Sequence, residues 1–210
     1  MATQTHLDHE TRLGQIVAAA RDLIAGGGVD ALTVRGIASK VGVTEAAIYR
    51  HVTSKEEVLI LLLEEVSASL FSAITEATSE DRGALEQLRH LLQLHFSYTE
   101  LRKGISFIVI AEAAQFQEPR VRAAGRKLVQ KYHELVECIV ERGIRRGEID
   151  PAISSKAAAT MFFGMVQGSV TRWLLDPAGH PLNENQTALW TLFRSALAPA
   201  AMMESAEAAS

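Results

Sequence analysis

Between positions 13 and 197 the apolar residues recur every three or four places, and a strand-like alternation persists nowhere. Leu13, Ile16, Val17, Ala20, Leu23 and Ile24 set the pattern, and Gly26-Gly27-Gly28 ends that first run. A chain patterned this way buries its apolar stripes by packing helix on helix. Helix-forming Ala and Leu are abundant, and only 6% of the residues are aromatic, which points the same way. The expected class is all-α.

Capping and breaking residues divide the chain into about nine helices. Thr33 is placed to cap a helix with Val34, Ile37, Ala38 and Val41 on its apolar side. Gly42 breaks it, and Thr44 caps a short helix from Glu45 to His51. Ser54-Lys55-Glu56-Glu57 reads as a capping box in which Ser54 bonds the Glu57 amide and Glu57 reaches back to the Ser54 amide. It opens a long helix that runs toward the polar stretch 78–82. Further helices are expected over 84–101, 105–117, 119–146, 154–175 and 183–197, with Pro119 suited to a first turn. The expected division is a three-helix module over 1–53, a larger helical domain over 54–200 and a frayed tail over 201–210.

Charge gives no global sign of nucleic-acid binding, since the net charge is −4. Locally the balance reverses. Between Thr33 and Lys55, Arg35, Lys40, Arg50 and Lys55 face only Glu45, a net +3 before His51 is counted. The lone Cys138 has no partner for an internal disulfide. The opening residues MATQTHLDHETR lack the apolar core of a secretory leader. The window 157–175, taken as the most apolar, carries Gln167, Thr171 and Arg172 and reads as a buried helix instead of a membrane span. A cytoplasmic protein with no membrane partner is expected.

The segment TVRGIASKVGVTEAAIYRH, residues 33–51, has the requirements of a helix-turn-helix. Ala38 is small where two helices must cross, and Gly42 tolerates a left-handed turn four residues later. Ile37, Val41, Val43 and Ile48 lock the corner, leaving the outer face of the second helix for a major groove. The longer run GVTEAAIYRHVTSKEEVL resembles the TetR/AcrR family of transcriptional regulators. The resemblance lies in a Gly-Val turn, a short recognition helix, a Tyr-x-His pair and a Lys-Glu helix start. The specific motifs fall within about residues 12–60, and the rest matches in helical layout. Val52 stands where the family usually has Phe, and remains apolar.

The resemblance implies roles. Thr44, Glu45, Ala46 and Ala47 would meet base edges, the alanines at thymine methyls and Glu45 at a cytosine amino group. Tyr49, His51 and Lys55 would hold phosphates, with Thr33 and Arg35 approaching the backbone from the preceding helix. Arg50 would contact phosphate or serve as a plain surface charge.

A short module of this kind gains affinity by doubling on palindromic double-stranded DNA. Gly164 and Gly168, flanked by Phe163, Gln167 and Thr171, would let a partner helix come close, and Leu189, Trp190, Phe193 and Leu197 form a second stripe. The resemblance implies a homodimer through these two helices; packing within one subunit is the alternative for the same residues. It also implies an effector pocket. Phe107, Ile108, Ala111, Phe116, Phe162, Met165, Val166 and Trp173 are its apolar candidates, and His95, Tyr98, Glu112 and Gln115 its polar ones. That bias suggests a hydrophobic effector, with a fatty acid or acyl-CoA first, acting to release the DNA.

Two rivals remain. His90 with His95, or His133 with Glu137, could be pictured as metal ligands, but no third ligand accompanies either pair, and there is no phosphate loop or nucleophile elbow. No cofactor, metal or catalytic residue is therefore expected. The stretch VTEAAIYRH also resembles the nucleoid-occlusion branch of the same family, which binds DNA and a protein partner.

Overall fold

A computed structural model describes residues 2–77 and 82–199; the expected tail at 201–210 lies outside the described residues. Among them are nine α-helices and no strand: α1 (Ala2–Gly27), α2 (Val34–Val41), α3 (Glu45–Ile48), α4 (Lys55–Ala77), α5 (Ala84–Leu101), α6 (Ile105–Gln115), α7 (Pro119–Arg145), α8 (Ser155–Leu175) and α9 (Gln186–Leu197). A single 3-10 turn, Val29–Ala31, joins α1 to α2. The caps fall at Thr33, Thr44 and Ser154, whose side chains accept from the amides of Gly36, Ala47 and Ala157. Three helices are shorter than expected by two or more residues. α3 ends at Ile48, where the chain tightens into a turn; α6 ends at Gln115; and α9 begins at Gln186, after a run of turns.

The helices gather into two compact units. The first holds the described residues up to Ser69 together with Arg102–Leu128, and the second holds Leu70–Leu101 with the described residues from Val129 onward. In the first, Ile16, Ala20 and Ile24 form the inner stripe of α1, and Leu32, Ile37, Ala38, Ile48 and Val52 are buried with them. α1 packs on α2, and α6 packs on α1.

In the second unit α5 turns Leu88, Leu91, Leu92, His95, Phe96 and Thr99 inward. Phe162 of α8 meets Phe193 of α9 edge-on at 5.2 Å, and both are fully buried. Gly143 of α7 is needed for packing: a Cβ there would come within 2.8 Å of Ala84 Cβ and 2.6 Å of Ile149 Cδ1.

The most apolar long helix is α4, not α8. Within Lys55–Thr75 an 18-residue window reaches a mean hydropathy of 1.8, enough by length and composition alone for a membrane span. Val58, Leu59, Leu62, Leu63, Val66, Leu70 and Ile74 are all buried, so this apolarity serves a protein core.

Candidate nucleic-acid interface

The helix-turn-helix is built from three local devices. Thr33 Oγ1 accepts from the Gly36 amide at 3.0 Å and starts α2. Gly42 then takes φ 77°, ψ 34°, and the amides of Gly42 and Val43 both return to the Ala38 carbonyl, at 2.9 and 3.0 Å. That pair of hydrogen bonds closes the helix and turns the chain in a conformation that favours glycine. Thr44 Oγ1 next accepts from the Ala47 amide at 3.2 Å and opens α3. Ile37, Ala38 and Ile48 are buried at the corner, while Val41 and Val43 are half-buried.

Packing then decides what faces outward. Thr33, Arg35, Thr44, Glu45, Ala46, Tyr49 and Arg50 are exposed, and Ala47, His51 and Lys55 are half-buried. Tyr49, 52% exposed, is an aromatic that the core does not use. Val52, one residue beyond His51, is buried and fills the position where Phe is usual.

The box that opens α4 differs from expectation at one bond. The Glu57 amide donates to Ser54 Oγ at 3.3 Å as expected, but the Glu57 carboxylate takes the amide and hydroxyl of Thr53, at 2.6 and 2.7 Å. The hydroxyl gives Thr53 a second donor that the Ser54 amide alone could not match. These bonds, the side-chain one first, hold the Glu57 carboxyl below its ordinary range, with Arg120 adding a smaller pull. Sequence reasoning also missed His9. Its Nδ1 lies 2.8 Å from Nδ1 of His51, with the rings stacked at 4.8 Å. The two residues are 42 positions apart, and no local pattern links them.

The remaining candidates divide between the units. Phe107, Ile108, Ala111, Glu112, Gln115 and Phe116 belong to the first; Phe107 is buried, whereas Ala111 and Gln115 are exposed. His95, Tyr98, Phe162, Met165, Val166 and Trp173 belong to the second. Of these, Phe162 and Val166 are core residues, and His95 is buried with its Nδ1 3.0 Å from the Tyr132 hydroxyl. Thr99 and Tyr132, buried beside His95 in sequence or by contact, were not singled out. The i, i+4 spacing of His95 and Thr99 was the available signal.

Two residues of the expected dimer stripe take the alternative, packing within the subunit: Phe193 is fully buried against Phe162, and Leu197 is buried as well. Leu189 and Trp190 are half-buried, and Phe163 lies against Tyr132 and His133. Gly164, Gly168 and Thr171 are exposed and Gln167 is half-buried. Met161, Leu175 and Leu192, 48%, 82% and 67% exposed, are the large apolar residues of α8 and α9 left outside.

Together these features define a helix-turn-helix DNA-binding module joined to a larger helical region. Residues 16–62 match the bacterial regulatory proteins of the tetR family, and residues 63–196 match the YsiA-like protein C-terminal region. The chain belongs to the tetR family and is a DNA-binding transcriptional regulator. The nucleoid occlusion factor SlmA of Vibrio atlanticus is 31% identical over 166 residues, 79% of this chain and 84% of that protein. SlmA of Photobacterium profundum is 29% identical over 171 residues, covering 81% and 87%.

Among solved structures, the transcriptional regulator FadR from Bacillus subtilis in complex with stearoyl-CoA superposes with a TM-score of 0.77. It shares 26% identity and covers 86% of this chain and 97% of that one. The ketosteroid transcriptional regulator KstR2 of Mycobacterium tuberculosis shares the fold at a TM-score of 0.70 and 22% identity, covering 89% and 95%.

Proposed function

We propose that this protein is a cytoplasmic, homodimeric repressor that binds a palindromic operator and lets it go when a long-chain acyl effector binds. The observation that carries the DNA reading is the Ala38–Gly42–Thr44 corner, which leaves Glu45 and Ala46 of one short helix exposed together with its caps Thr44 and Tyr49. Base contacts would fall to Thr44–Ala47, and phosphate contacts to Thr33, Arg35, Tyr49, Arg50, His51 and Lys55. We assign DNA binding to residues 1–53 and effector binding and dimerisation to 54–200. The role is regulatory, without catalysis.

The homodimer is supported by Gly164 and Gly168. A Cβ on either would meet nothing within 4 Å, so packing inside the subunit gives no reason for glycine. Mid-helix glycine costs roughly 0.5–1 kcal/mol relative to alanine, and close approach of a second subunit would offset it. The same face carries the exposed Met161, Leu175 and Leu192. The acyl effector is supported by the likeness to FadR bound to stearoyl-CoA.

A second reading, a DNA-bound nucleoid occlusion protein with a protein partner, draws on the 31% identity to SlmA. Selection of bound DNA from a random pool, followed by challenge of the complex with stearoyl-CoA, separates the two. A palindrome that the ligand releases supports the repressor. A palindrome that stays bound favours the second reading, and no enriched sequence overturns both.

A further inference from the structure

We propose that the second unit anchors a neutral carbonyl of the effector, such as a thioester, ester or ketone, at the Thr99 hydroxyl beside the His95–Tyr132 pair, and that it rejects a free carboxylate there. The inference rests on the effector-responsive reading above and narrows it to a ligand class.

Thr99 is 0% exposed, and its Oγ1 is fully enclosed without a hydrogen-bond partner. A buried hydroxyl left in that condition costs on the order of 1–3 kcal/mol, and valine would fill the same shape without the cost. The other fully buried polar residues of this unit are Gln87 and His95, and Gln167 of α8, half-buried as a residue, has one further enclosed side-chain oxygen without a partner. Gln87 is satisfied at both ends, donating to the Arg82 carbonyl at 2.7 Å and accepting from Arg142 at 2.9 Å. His95, one turn before Thr99 on the same inward face of α5, lies 3.0 Å from the Tyr132 hydroxyl, with the two rings edge-on at 5.2 Å. Thr99 is thus an unmatched donor next to a polar pair inside an otherwise apolar core.

The charge of the surroundings selects the ligand. No Asp, Glu, Lys or Arg is among the buried described residues. Burial also holds His95 neutral, with its pKa pushed down to about 4. A carboxylate brought here would lose its hydration and find no positive charge on the neutral His95 to offset it, which is far more costly than burying a neutral carbonyl. A carbonyl oxygen needs only a donor, and the Thr99 hydroxyl is one.

The test uses the full-length protein with stearoyl-CoA, methyl stearate and stearate as probes, read by calorimetric titration and thermal unfolding. Wild type should bind the two neutral carbonyl compounds and not stearate. Thr99→Val should raise the melting temperature of the ligand-free protein yet weaken stearoyl-CoA binding roughly five- to tenfold, and Thr99→Ser should restore affinity. If Thr99→Val does not fold, Thr99→Ala against Thr99→Ser makes the same comparison. A higher melting temperature with unchanged affinity overturns the anchor, since the hydroxyl is then only a packing cost. Stearate binding as tightly as stearoyl-CoA overturns the neutral-carbonyl requirement but leaves the effector reading standing. Binding of none of the three overturns the acyl-effector reading, and this inference with it.

Discussion

Glu65 Oε1 accepts a hydrogen bond from Arg102 at 2.9 Å and a longer one from Arg21 at 3.4 Å. One carboxylate on α4 therefore holds both α1, through Arg21, and the segment leading into α6, through Arg102. All three side chains are about a quarter exposed, at 24–29%, so the ion pairs are only partly screened by solvent.

Glu65→Gln keeps the shape and removes the charge both arginines share. It should cost about 1 kcal/mol of stability, near the upper end for partly exposed pairs. Because Arg21 lies on the helix against which α2 packs, operator affinity should also fall by a few fold. Denaturant unfolding and operator titration at fixed salt check the two effects separately.

Thr44→Ala removes the side-chain acceptor for the Ala47 amide. Lost N-caps cost roughly 0.5–2 kcal/mol, a large share of what holds a helix only four residues long. Operator binding should drop at least tenfold, while Thr44→Ser stays near wild type. Tyr49→Phe, by contrast, should weaken binding to all DNA sequences alike, as expected of a phosphate contact.

The faces of α8 and α9 make opposite predictions for adjacent residues. Phe193→Ala opens a cavity against Phe162 and should cost about 3–5 kcal/mol in unfolding. Leu192→Ala, at an exposed position, should change subunit stability by under about 0.5 kcal/mol. Its effect should appear instead as a weaker dimer in sedimentation equilibrium.

These pairs mark what sequence can and cannot carry. Thr33, Gly42 and Thr44 act on backbone within three or four residues of themselves, so these caps and the corner were legible from spacing, whereas Ser154, read as the first helical residue, is a cap. The stripe Leu189–Phe193–Leu197 was legible as a stripe, but periodicity does not say which body covers it. That depended on Phe162, distant in sequence. His9 beside His51 and the Glu65 cluster are likewise products of packing between remote segments, invisible to any local pattern. The effector candidates were the least legible, because an apolar residue at helical spacing has the same signature whether it lines a pocket or fills a core. Phe162 shows the second outcome.

His95 gives the protein a distinct response to acid. Burial pushes its imidazole from the ordinary 6.5 down to about 4, so the folded state resists a proton that the unfolded chain accepts. The stabilisation is therefore complete above pH 6.5 and is lost as pH falls through that window toward about 4. The slope cannot exceed about 1.4 kcal/mol per pH unit for one proton, and the full loss is on the order of 3 kcal/mol. Glu57, whose carboxyl is held below its ordinary 4.5, also loses stabilisation on acidification, but only below that value. The interval from pH 6.5 to 4.5 thus isolates the histidine from this carboxylate. His95→Gln keeps a hydrogen-bonding side chain for Tyr132 and does not titrate. Denaturant unfolding of both proteins across that interval should show wild type losing stability relative to His95→Gln as pH falls; parallel curves would mean that His95 takes up its proton in the folded state as readily as in the unfolded one.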